Sequence, residues 1–304
     1  MRIAKIQARE IFDSRGWPTI ACELFLEDGS YVCSSVPAGA SRGLHEMVEL
    51  RDGGERLMGL GVQKAIDHIH NSIAPELEGN EPNLVVMDAL LLDLDGTDNK
   101  SRLGANAILA VSIAVCKAQA LINELELYEF IAHLCGFESI ALPCPMFNVI
   151  NGGIHADNKL QVQEIMIIPI GEPSFRFAME TGVELFHGLK NVLKKNGKST
   201  NVGDEGGFAP DVEDENEALD LLMEAIEQYA SKKNIMIAFD IAASQFYNPE
   251  KRTYSWYKKE VSADELLAWY EKLINQYPIY SIEDGLSETD WDNWERMTEE
   301  LGNN

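Results

Sequence analysis

Apolar residues along this chain recur with two different periods, and the change of period divides it. From residue 3 to 36 they alternate: Ile20, Cys22, Leu24 and Leu26 interleave with Ala21, Glu23 and Phe25. A period of two predicts strands, and Glu27-Asp28-Gly29-Ser30 makes a tight turn before Tyr31-Val32-Cys33, so the stretch reads as a three-stranded meander. A polar, kinked segment from Phe12 to Thr19 joins the first two strands. The glycine-rich Pro37-Ala38-Gly39-Ala40-Ser41-Arg42-Gly43 follows the third and fits either a surface loop or a mobile flap, having few apolar anchors. Helical periodicity then runs to about residue 135. Gly104-Ala105-Asn106 opens a strongly apolar helix, and Tyr128, Ile131, Ala132 and Leu134 form a shorter one stopped by Gly136. With Pro143 and Pro145 just beyond, the pattern predicts an N-terminal α+β domain over residues 1–136.

Over residues 137–304 strands alternate with helices, the signature of a β/α barrel. Apolar runs predict strands at 146–150, at 165–170, ending near Val202, at 235–239 and at 279–282. Between them lie helical stretches: 173–195, with Met179, Val183, Phe186 and Leu193 on one face, and one opened by Asp214 and Glu217. Ser262 with Glu265 caps a third, and Trp291, Trp294 and Leu301 mark a last amphipathic helix. About five strands are present where closure takes about eight, so the barrel is expected to be incomplete, with an open edge at 279–283.

The acids fall at the ends of these runs. Asp240 and Glu283 terminate strands, and Asp204-Glu205 sits between glycines just past another. Glu164 begins its strand, yet reaches the same face if strands 146–150 and 165–170 pair antiparallel, and the loop between them carries His155. Strand C-termini of such barrels open on one face, where chemistry sits. Gathered there with Asp284, unpaired carboxylates repel, and a cation relieves them. Oxygen-rich donors point to Mg²⁺ before Ca²⁺, with His155 as a substrate contact. His68 and His70 are expected to face solvent.

Composition narrows the partners. Lys and Arg number 25 against 50 Asp and Glu, a formal net charge of −25. Clustered basic residues, which nucleic acids and anionic membranes require, are not the pattern here. The longest apolar stretch, 108–122, is too short for a membrane span and carries Lys117 and Gln119. Five cysteines without a C-x-x-C pair read as buried reduced thiols, and the charged start does not read as a signal peptide. A cytoplasmic protein is expected.

Taken in order, Asp13-Ser14-Arg15-Gly16, Gly39-Ala40-Ser41, Leu92-Asp93-Leu94-Asp95-Gly96-Thr97, Gly104 to Ser112, Asn151-Gly152-Gly153, His155-Ala156-Asp157-Asn158, Val202 to Gly207 and Ser281-Ile282-Glu283-Asp284-Gly285 resemble the enolases of bacterial type. The resemblance implies a cytoplasmic glycolytic lyase, a phosphopyruvate hydratase interconverting 2-phosphoglycerate and phosphoenolpyruvate with Mg²⁺, commonly as a homodimer. It implies Glu205 as proton donor and Asp240 and Glu283 as metal ligands. His155, Gln163, Glu164 and Ser41 would contact substrate, and Ser41 on the flap would also serve a second metal. No segment here matches the family's base lysine, its third metal aspartate or its His-Arg-Ser stretch, so the 304 residues alone are expected to be inactive. Trp17, Ala38, Arg42 and Gln245 depart from the family pattern; Gln245 stands where a Glu is usual. Two other readings stay open on the residues: a non-catalytic scaffold keeping the front of the fold, and a two-carboxylate glycosidase with Phe208 and Phe246 near the acids.

Overall fold

In the computed structural model, residues 1–39 and 42–302 are described. Contacts divide the chain into Met1–Ala141 and Leu142–Asn304. In the first unit β1 (Ile3–Phe12), β2 (Pro18–Leu26) and β3 (Tyr31–Ser35) form an antiparallel sheet in chain order. Helix α1 (Gln63–His68) runs through a π-helical turn into α2 (Ala74–Leu77), and α3 (Leu84–Asp95) follows. The apolar α4 (Ala105–Ile122) lies against β2 and β3, and α5 (Leu127–Cys135) ends at Gly136 in the left-handed conformation.

By length and composition α4 could cross a bilayer. Instead its small residues Ala107, Ala110, Ala114 and Ala118 are fully buried, which lets the helix approach the sheet closely. Lys117 reaches back to the Cys33 carbonyl at 2.8 Å. His70 does not simply face solvent: it accepts the Ala8 N–H at 2.9 Å, while Glu78, in the turn after α2, accepts that of Ile6, so two side chains cover the outer edge of β1. Of the five cysteines all are free, but only Cys22 is buried, and Cys135 and Cys144 are exposed.

The second unit is built on a four-stranded sheet. Its strands are β4 (Phe147–Asn151), β5 (Glu164–Ile170), β6 (Asn234–Asp240) and β10 (Ile279–Glu283). In the order β10-β6-β5-β4, the strands β4, β5 and β6 are successively antiparallel, and β6 and β10 are parallel. Helices α6 (Phe175–Lys195), α7 (Glu215–Ala230), α8 (Ala263–Gln276) and α9 (Trp291–Leu301) accompany it. The result is a partial barrel whose sheet does not close among the described residues.

Three features differ from the sequence reading. No strand ends at Val202; that segment makes single bridges, Val202 with Phe208 and Phe208 with Ile150, because its glycines turn the chain too sharply for a ladder. A small sheet of β7 (Tyr247–Asn248), β8 (Thr253–Trp256) and β9 (Lys259–Val261) appears where none was expected. The buried face of α6 is Ala178, Thr181, Gly182, Leu185, Gly188, Leu189, Val192 and Leu193, so Leu193 is on the expected face and Phe186 packs against the core, whereas Val183 is exposed. Gly182 lies on that face because the Phe147 ring is so near that a Cβ there would meet it at 2.3 Å.

Candidate active site

Strand register builds the site. Glu164, first residue of β5, is directly opposite Asp240, last of β6, and Asp240 is the partner of Glu283, last of β10. Neighbouring strands run about 4.8 Å apart, so three carboxylates form one row across three strands. The antiparallel β4–β5 pair puts the loop carrying His155 at this end, with Asn151 opposite Glu164. Beyond the row, Ile241 N–H donates to the Glu283 carbonyl at 3.0 Å and Ala243 N–H to that of Asp284 at 2.9 Å, tying the two strand exits together.

Glu205 arrives on the loop from Asn201 to Phe208. Gly203 N–H donates to the Gly207 carbonyl at 2.8 Å, and Asp204 N–H to the His155 carbonyl at 3.0 Å. That approach requires glycine at 203, where a Cβ would stand 2.5 Å from the His155 carbonyl oxygen. His155 is thus set between two acids: its Nδ1 lies 3.6 Å from Glu164 Oε1 and its Nε2 3.9 Å from Glu205 Oε1. Its side chain is 5% exposed, and among the described residues neither ring nitrogen has a hydrogen-bond partner. The carboxamides of Asn148 and Asn151, converging on Gly207, are likewise unpaired.

Gln163 belongs to the same end. Its Nε2 donates to Asp240 Oδ2 at 2.9 Å, and its Oε1 accepts from Gln245 Nε2 at 2.8 Å. The other oxygen of Asp240 accepts the Ala242 N–H at 3.0 Å. The backbone before Gln163 is held from below by Glu215, in the first turn of α7. One Glu215 oxygen accepts the N–H groups of Gln161 (2.8 Å) and Val162 (3.3 Å), and the other accepts the Tyr257 hydroxyl at 2.6 Å. Burial pushes the Glu215 carboxyl up, while those three donors pull it down.

The row is electrically strained. Burial, then the charges of Glu205 and Asp240, push Glu164 up to about 7. Burial raises Asp240 against the pull of Gln163, and burial followed by Asp240 and Asp284 raises Glu283. Ligand atoms of His155, Glu164 and Glu205 all fall within 4.8 Å of one another. The carboxylate oxygens of the row fit a hard divalent cation, whose charge would relieve the repulsion, whereas the imidazole of His155 is a donor that softer metals favour.

The structure therefore brings together His155, Gln163, Glu164, Glu205, Asp240 and Glu283, with Asp284 beside them. Ser41 lies outside the described residues. Phe208 is not beside the acids as a sugar platform: it is buried and stacked on Phe186, with ring centroids 4.4 Å apart. Sequence reasoning missed Glu215 and Tyr257, which carry no local signal, and had Gln245 only as a departure from a pattern.

Comparison with known proteins agrees over the whole chain. A family model for the enolase N-terminal domain matches residues 3–131, and one for the enolase C-terminal TIM barrel domain matches 139–304. The enolase of Natranaerobius thermophilus is 50% identical over 302 residues, covering 98% of this chain and 70% of that protein. The enolase of Corynebacterium kroppenstedtii is 48% identical over 304 residues, 99% of this chain and 70% of its own length.

Proposed function

Since this chain belongs to the enolase family, we propose that its carboxylate row serves the Mg²⁺-dependent, reversible dehydration of 2-phosphoglycerate to phosphoenolpyruvate. The observation that carries the proposal is the alignment of Glu164, Asp240 and Glu283 across three neighbouring strands, with His155 and Glu205 facing the first of them. In this reading Asp240 and Glu283 hold the ion. Bound Mg²⁺ supplies the positive charge that lets a proton beside a carboxylate be removed.

Glu205 gives its proton to the departing hydroxyl. Its side chain is 41% exposed on a loop, so a ligand can reach it. His155, Gln163 and Glu164 line the substrate side, and by the family resemblance Ser41 serves a second ion. His155 orients the ligand between Glu164 and Glu205. Residues 1–136 act as a capping domain and 137–304 as the barrel domain, in a cytoplasmic, glycolytic homodimer.

No residue of this chain is assigned as base, so the 304 residues by themselves are expected to give no turnover. The test is a Mg²⁺ titration followed by thermal melting, together with an assay for phosphoenolpyruvate. Mg²⁺ should raise the melting temperature of the chain, and Asp240→Asn and Glu283→Gln should each remove most of that rise. Failure of Mg²⁺ to stabilise the unaltered chain would refute the metal assignment. Phosphoenolpyruvate formed at saturating Mg²⁺ would refute the claim of inactivity.

A further inference from the structure

We propose that Gln245 is a positioning residue: it fixes the carboxamide of Gln163 so that Gln163 donates to Asp240. The reasoning starts from Asp240. An ionised carboxylate only accepts hydrogen bonds, so the group 2.9 Å from its Oδ2 must be the Gln163 amino end. That turns the Gln163 carbonyl oxygen away from the row. Gln163 is buried, only 6% exposed, and an unmet carbonyl there is costly, so a donor has to face it. Gln245 Nε2, at 2.8 Å, is that donor. The direction of every bond from Gln245 through Gln163 to Asp240 is thus dictated by the charge at its inner end.

The backbone supports this role. Gln245 lies on the short 3₁₀ turn Ala243–Phe246, immediately after the strand that ends in Asp240. Ala243 N–H donates to the Asp284 carbonyl and Gln245 N–H to that of Ala242, fixing where the turn starts. Gln163 is held from its other side by the Glu215 bonds to Gln161 and Val162. Backbone position therefore comes from Glu215, and orientation of the amide comes from Gln245. Partners of this kind orient ligating groups and commonly govern metal affinity by about tenfold or more.

The consequence for Mg²⁺ rests on the function proposed above; the direction of the hydrogen bonds does not. The experiment follows the Gln163 side-chain amide in ¹H–¹⁵N spectra of the 304-residue chain, with the signal assigned by its loss in Gln163→Leu. Two variants separate donation from mere space filling. Gln245→Leu, which cannot donate, should speed solvent exchange of the Gln163 amide protons about tenfold, the loss of roughly one hydrogen bond. Gln245→Lys, which donates and cannot accept, should keep the unaltered rate. Calorimetric Mg²⁺ affinity should fall about tenfold in Gln245→Leu. Unchanged exchange in Gln245→Leu, or equal acceleration in both variants, would overturn the proposal. If the unaltered chain binds no Mg²⁺, the function above fails while the exchange rates still decide the role of Gln245.

Discussion

Glu164 sits among other negative charges, and its ionisation carries a cost that can be read as stability. Burial and the carboxylates of Glu205 and Asp240 take it from the ordinary 4.5 to about 7. The folded chain then keeps a proton that the unfolded chain has already released, so between about 4.5 and 7 stability falls as pH rises. The full contribution is at most about 3 kcal/mol, and Asp240 and Glu283, raised in the same direction, add to the trend. In EDTA the midpoint of urea unfolding is expected to decline from pH 5 to pH 8. Glu164→Gln should flatten the decline, and added Mg²⁺ should reverse it. A midpoint independent of pH across that window would show that the row is not strained.

At the scale of elements, what could be read in advance depended on whether size or only polarity mattered. Strands ending in acids were legible because an apolar run with a carboxylate at its end needs no partner to be seen: Asp240 and Glu283 are such cases. The antiparallel assumption for β4 and β5 followed from the acid they had to deliver. On α6 the expected Leu193 is buried and Phe186 packs on the core, but hydrophobicity pointed wrongly to Val183, because part of the packed side is made of small residues under large ones. Gly182→Ala, pressing on Phe147, is expected to cost about 1–3 kcal/mol. Val183→Ala, at a position 47% exposed, should change stability by no more than about 0.5 kcal/mol. Denaturant melts of the two variants check the contrast, and a smaller loss for Gly182→Ala than for Val183→Ala would refute it. The sheet of β7, β8 and β9 escaped notice because strands of two to four residues are too short to show alternation. Glu215, Tyr257 and Gln245 escaped because a polar side chain's role lies in a partner far along the chain.

For the molecule as a whole, the feature with the widest reach is the edge at β10, which pairs only with β6 among the described residues. A groove of about 240 Å³ beside it is lined by Ile274, Ile282, Trp294, Met297 and Leu301, and Tyr280 is 64% exposed. Unpaired strand edges template association. Light scattering is expected to show species larger than a dimer growing with concentration, and Tyr280→Lys should suppress them. Equal growth in both proteins would place the contact elsewhere. The clamp on the segment before Gln163 has a different reach, in time. Gln161 precedes the carboxylate that holds it by 54 residues, and that carboxylate precedes its phenol by 42. A ribosome releases the segment before Gln163 long before it makes either mooring, so this part of the chain is synthesised early and anchored late.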